Sequence, residues 1–260
     1  MNSFGKWHFG KKTSRALFAG LAATLIVISA ALPSRAEFVK YDKAKVLAYP
    51  TTPEEIILDF VKLANITSPE FQNMVVKTEK YKAIPENERA SYLQVEMMRL
   101  NKKFNTLNPR KNGILIRIGV KVMFDNMADR QSSLTIQFPS EGLVYFPYYY
   151  GGLPVAVLVN GIEDFQKIYL TGEERQQVAS VIDPTSDSTL ILDLRPVSAS
   201  VTQPVMLDGE PQYPLLCDIV YIGIHNKESD QVWAWQPDEE KEKPKTDQIP
   251  TKAEGFDSPQ

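Results

Sequence analysis

The apolar residues of this chain change period at Asn112-Gly113, and no purely helical or purely sheet architecture accommodates both periods. Upstream the spacing is helical. Leu93, Met97, Leu100, Phe104 and Leu107 recur at alternating intervals of four and three, so on a helix they form one stripe that seeks burial. Downstream, Ile114, Ile116, Ile118, Val120, Val122 and Phe124 alternate with Arg117, Lys121 and Asp125, the pattern of a strand with one buried face. The expectation is an α+β fold, with N-terminal helices packed beside a mainly antiparallel β-sheet of meanders and one further helix inserted.

Local signals fill in the elements. Thr52-Pro53-Glu54-Glu55 places a hydroxyl at a helix cap, proline at the first helical position and glutamate three residues after the cap, and Ile56, Ile57, Phe60, Val61 and Ala64 follow at helical spacing. Ser68-Pro69-Glu70 marks a second helix through Phe71, Met74 and Val75, and Asn108-Pro109 stops the long helix that follows Pro85. The long stripe can serve a coiled-coil partner, but one this short fits a helix lying on a sheet or on other helices. Leu134, Ile136 and Phe138 should return against the first strand as a hairpin. Further strands are expected over Leu143 to Tyr149, Val155 to Val159, Leu190 to Leu194, Val205 to Leu207, Leu216 to His225 and Val232 to Trp235, with a tight turn at Asp208-Gly209. The inserted helix starts at the capping box Thr171-Gly172-Glu173-Glu174 and stops at Asp183-Pro184. The globular domain therefore spans 52–235, with a sub-boundary possible near 165–171 and an order that hints at two similar halves.

The ends differ from the middle. Lys6, Lys11, Lys12 and Arg15 precede an uncharged apolar run from Ala16 to Leu32, Pro33 breaks it, and Ser34-Arg35-Ala36 supplies the small residues of a cleavage site. Residues 1–36 read as a secretory signal peptide cut before Glu37, which makes the periplasm, or secretion from a bacterium, the expected location. The run is slightly short for a spanning helix, so a membrane association is expected only if the signal stays uncleaved. No cysteine near the cut can carry a lipid anchor. Residues 37–51 show no period and are expected to be extended, and 236–260 hold Pro, Lys, Glu and Asp with few apolar residues, the composition of a disordered acidic tail.

Removing five basic and no acidic residues with the signal takes the formal charge from −3 to −8. Nucleic acid is thereby a poor partner, because phosphate neutralisation needs Lys and Arg in excess. Cys217 is the one cysteine, so stability must come from the core, and a bacterial envelope suits it better than a disulfide-rich secretory route. His225 is the one histidine left after the signal. Neither a metal site of several His or Cys ligands nor any cofactor is expected, and no phosphate-binding glycine loop occurs. Cys217 and His225 lie eight residues apart on one expected strand, more than about 20 Å at the rise of a strand, too far for a catalytic dyad. Carboxylates remain: Glu163, Asp164, Asp183, Asp187 and Asp193 offer candidates for a glycosidase-like pair. The stretch Asp183 to Ser188 lacks the glycine and terminal glutamate of a calcium loop.

The densest feature is aromatic. Tyr145, Phe146, Tyr148, Tyr149 and Tyr150 crowd into one short stretch with Pro147 and Gly151-Gly152, and Trp233 and Trp235 share a face of the last strand. Exposed tyrosines stack on sugar rings or grip a peptide, whereas buried ones fill a sheet. The chain is expected to turn sharply there and to aim one or two tyrosines outward instead of continuing the ladder. Tyr145, Tyr148, Tyr149 and Tyr150 are thus the candidate binding residues of a non-catalytic interaction protein whose partner is an envelope protein or cell-wall component. The alternative is a carboxylate-dependent hydrolase of envelope polysaccharide.

Overall fold

The computed structural model describes residues 49–126, 131–138, 143–183 and 187–237. The expected signal peptide, nearly all of the 37–51 segment, most of the 236–260 tail and the centre of the Asp183 to Ser188 loop lie outside the described residues.

Helix α1 (Pro53–Leu63) opens with both arms of the capping box: Thr52 Oγ1 accepts from the Glu55 amide at 3.3 Å, and the Glu55 carboxylate accepts from the Thr52 amide at 3.0 Å. Six consecutive residues, Ile56 to Val61, are buried, so the helix is enclosed on more than one side. It ends at Asn65, whose φ of 57° is a left-handed conformation that asparagine tolerates. Three helices follow: α2 (Phe71–Val76), the single turn α3 (Glu79–Lys82) and the long α4 (Glu86–Thr106). Glu70 sits at the cap of α2, two residues after the Ser68 of the sequence signal, and its side chain caps no backbone amide, so the helix leans on packing instead, with Phe71 edge-on to Phe104 at 5.7 Å. The α4 stripe faces inward, Leu100 and Phe104 buried and Leu93, Met97 and Leu107 partly so. After Asn108 the chain makes one unanticipated turn, α5 (Pro109–Asn112).

Strand β1 (Ile114–Asp125) has the alternation expected, with Ile114, Ile116, Val120 and Val122 buried and Arg117, Lys121 and Asp125 exposed. It pairs antiparallel with β2 (Ser133–Gln137), as the alternation predicted. Then come β3 (Tyr145–Tyr150), β4 (Leu153–Val159), a 3-10 turn (Ile162–Phe165), β5 (Lys167–Tyr169), α6 (Gly172–Val181), β6 (Ser188–Ala199), β7 (Val205–Leu207), β8 (Glu210–His225) and β9 (Gln231–Trp235). The inserted helix α6 has its capping box, Thr171 with Glu174.

The protein is α+β, and its sheet is mostly antiparallel and curled. The meander expectation needs correcting. Hairpins join β1 to β2, β3 to β4, β7 to β8 and β8 to β9, but the sheet order β3-β4-β8-β6-β1-β2-β5 is built at its centre from strands distant in sequence, and β4 runs parallel to β8. Alternation says which face of a strand is buried and nothing about its neighbour. β8 is the hub. Its 16 residues pair with β6 along one edge and with β4 and β9 in turn along the other. The β6 and β8 ladder slips twice, leaving Val220 and Val197 unpaired, and such bulges sharpen the twist that curls a sheet.

One apolar core joins α1, α4 and the inner face of the sheet, including Leu190, Leu192, Leu194, Ile222 and Ile224. A small second cluster, Ile191, Tyr221 and Ala234, lies on the outer face with Leu115 against it. Tyr221 there lies across Gly223, where a Cβ would come within 2.1 Å of the tyrosine hydroxyl. Trp233 and Trp235 share the inner face as expected, and both touch the Phe165 ring, at 6.2 and 5.1 Å between centroids.

Candidate functional site

Strand β3 forms one end of the sheet path, so among the described strands only β4 pairs with it. The expectation that the tyrosines leave the ladder is overturned, because pairing continues from Tyr145 opposite Leu158 to Tyr150 opposite Leu153. The turn is confined to Gly151 and Gly152, with φ of 59° and 83°, the left-handed pair that a two-residue hairpin with matching twist requires. Both glycines serve the turn through their positive φ, and Gly151 is needed a second time for its close approach to the Met74 backbone. A Cβ on Gly151 would fall 2.6 Å from Met74 Cβ and one on Gly152 2.3 Å from Lys77 Cδ, so the hairpin tip is pressed onto α2.

Alternation divides the tyrosines. Tyr145, Pro147 and Tyr149 point outward, and Phe146, Tyr148 and Tyr150 face the helices. Tyr149 is 62% exposed, the most exposed ring of the stretch. Tyr145 donates its hydroxyl to Asp208 of the β7 to β8 turn, and burial reinforced by that carboxylate pushes its pKa to about 12. Tyr148 is pushed to about 12 by burial, with Cys217 adding to it. Burial raises Tyr150 too, and its hydroxyl meets Glu54.

That last contact leads into a network that the sequence reading missed. Arg99 of α4 lies between two carboxylates, donating to Glu54 at 2.8 Å through one nitrogen and to Glu96 at 2.9 Å through another. Lys103 reaches Glu54 at 3.1 Å and Glu55 at 3.0 Å. Burial alone would raise the Glu54 pKa, but the hydrogen bonds from Arg99 and Lys103 outweigh it and hold the value down to about 2. One turn further along α1, Asp59 is 2% exposed, and its Oδ1 has no hydrogen-bond partner. Burial raises Asp59 to about 7, with Glu55 adding to the effect and Lys103 opposing it. The clue in the sequence was a lone acid inside the apolar run Ile56 to Val61.

The remaining candidates do not assemble. Cys217 is fully buried and burial, reinforced by Asp59, pushes its thiol to about 12, so it is inert as a nucleophile. His225 sits at the far end of β8, opposite Thr189, while Cys217 is opposite Pro196, so the two are well apart. Its ring approaches the Tyr221 hydroxyl at 3.5 Å and the Ser229 carbonyl at 3.3 Å, and burial lowers its pKa, with the Ser229 bond opposing and Arg117 adding. Of the acids named from sequence, Glu163 and Asp164 are the two exposed residues of the 3-10 turn and Asp193 lies in the centre of β6, while Asp183 and Asp187 flank undescribed residues. Among the described residues no group of three or more His, Cys, Asp or Glu is placed to hold a metal ion, and no helix is long and apolar enough to cross a membrane. A shallow groove of about 380 Å³ lies between Phe71, Asn73, Met97 and Asn101.

Comparison with protein-family models, with curated proteins and with solved structures finds no match to the chain.

Proposed function

We propose that the protein is an exported, non-catalytic binding protein of the bacterial envelope, and that the outward face of β3, centred on Tyr149, meets an envelope protein or cell-wall component. The observation that carries this reading is the mounting of Tyr149. It is 62% exposed, yet its strand is held from beneath by Tyr148 and Tyr150 and at its tip by Gly151, pressed on Met74 of α2. A rigid ring with a polar tip loses little entropy when it stacks on a sugar or a peptide, which is what a contact residue needs. Export rests on the signal at residues 1–36.

The hydrolase reading draws less support. A glycosidase needs one carboxyl kept protonated beside another that is free to act. Glu54, the carboxyl that meets Tyr150, is held ionised by Arg99 and Lys103, and Asp59, whose pKa is raised, is sealed from solvent.

The test is co-sedimentation with purified cell-wall sacculi and, separately, site-specific photocrosslinking from position 149 in intact cells. Tyr149→Ser should lose roughly tenfold or more in binding, the scale of an aromatic contact residue, while melting as the parent does. Full binding by a normally folded Tyr149→Ser protein, with no crosslink from position 149, would remove the site.

A further inference from the structure

The fold puts one carboxyl where a carboxylate is poorly tolerated. Asp59 lies between Leu58 and Phe60 on the enclosed helix α1, 2% exposed and with its Oδ1 unpartnered. The charged and titratable groups around it are few: Glu55 on α1 itself, Lys103 on α4 and Cys217 on β8, with Tyr148 of β3 beyond Cys217. β4 contains no ionisable residue, β6 contributes Leu190, Leu192 and Leu194 to this core, and the basic residues of α5 are exposed. Lys103 is already engaged by Glu54 and Glu55.

We infer that Asp59 is a proton-operated lock on α1: neutral, it lets the helix stay seated against β3, β4 and β6, and ionised, it loosens that seat and the tyrosine strand resting on it. An ionised carboxylate in such a place lacks the donors that would replace water, so the folded chain holds the proton more tightly than the unfolded chain does. The folded-state pKa is about 7 against an ordinary 3.8. Between those values the folded form binds one more proton than the unfolded form. The folding constant therefore falls tenfold per pH unit as pH rises through this window, about a thousandfold in all, and is level above it.

Three other groups titrate with the opposite sign in overlapping pH ranges: burial would raise Glu55, but its hydrogen bonds with Thr52 and Lys103 outweigh it and hold the carboxyl below its ordinary value, as at Glu54. Glu54, held at about 2, loses stability only on acidification below its ordinary 4.5. His225, lowered by burial, loses stability as pH falls below its ordinary 6.5. Glu54 and His225 show no interaction with Asp59 and are shared by the protein and an Asp59→Asn variant, so a comparison of the two cancels them, whereas the charge coupling of Glu55 and Lys103 to Asp59 is read as part of the Asp59 titration.

The experiment is urea unfolding of the protein and of Asp59→Asn from about pH 4 to pH 8, with a carbon-13 carboxyl titration of the parent. The ratio of their unfolding constants should change tenfold per pH unit up to about pH 7 and then level off, and the Asp59 carboxyl should titrate near that point. Amides of α1 and β3 should exchange faster across the same window, beyond the chemical rate. A pH-independent ratio, or a carboxyl titrating in the ordinary aspartate range, overturns the lock. If Asp59→Asn does not fold, the carboxyl titration and amide exchange of the parent decide alone. Weaker binding through Tyr149 at higher pH is a consequence that rests on the proposed binding role, and the lock stands or falls without it.

Discussion

Each tyrosine of β3 does a different job according to its position in the pleat. Tyr148 packs against the core beside Cys217, Tyr150 ties the strand end to Glu54, and Tyr149 projects into solvent. Truncations should separate accordingly. Tyr148→Ala is expected to destabilise by about 2 to 3 kcal/mol, somewhat below the cost of a fully buried aromatic because its ring is only partly enclosed. Tyr149→Ala should stay within about 0.5 kcal/mol, as surface changes do. Urea denaturation of the two single variants checks both values, and equal losses would mean that the outward face is covered. The sequence showed the tyrosine cluster but not this division, because five aromatics in six positions swamp the alternation that separates faces elsewhere.

At the scale of elements, α1 and α4 are joined by an ion-pair network as well as by apolar packing. The Arg99 guanidinium serves Glu54 and Glu96 together, and both carboxylates are mostly shielded from water. Arg99→Met keeps the stem that packs and removes the charge. It should cost about 1 to 2 kcal/mol, the exposed half of the arginine being discounted for solvent screening. The pH dependence has a definite sign. The stability from Glu54 is present above its ordinary 4.5 and is lost as pH falls toward about 2. In Arg99→Met that acid limb should shift upward, read as an earlier loss of helix signal on acid titration. Sequence patterns located both helices through their capping signals and stripes. Their partnership was hidden, since charges 45 residues apart carry no mutual signal.

For the whole molecule the sheet decides what can fold alone. Strands from before and after residues 165–171 interleave: β1 pairs with β6, and β4 with β8. A fragment ending near 165 would leave β4 and β1 without these neighbours and open much of the core. Fragments 37–165 and 171–237 produced separately should therefore remain unfolded, shown by collapsed amide dispersion, whereas residues 37–237 should fold. An independently folded N-terminal fragment would contradict this account. The same long-range pairing predicts slow folding, in milliseconds to seconds, because loop closure precedes most contacts.

The sequence by itself determined the α+β class, the capping boxes at Thr52 and Thr171, the buried face of β1, and the turn at Asp208-Gly209, where both residues have positive φ. These depend on periodicity and on backbone preferences within a few residues, and such interactions are written locally. The tertiary structure alone decided the strand order, the parallel β4 and β8 pair, the seat of α1 and the contrast between Glu54 and Asp59. The last case shows why. The two acids are five residues apart on one helix, yet Glu54 is drawn down to about 2 by cations from α4 and Asp59 is lifted to about 7 by a desolvated, largely apolar seat. A carboxyl responds to the dielectric and charges within a few ångströms of it, and those are supplied by parts of the chain that only folding brings there.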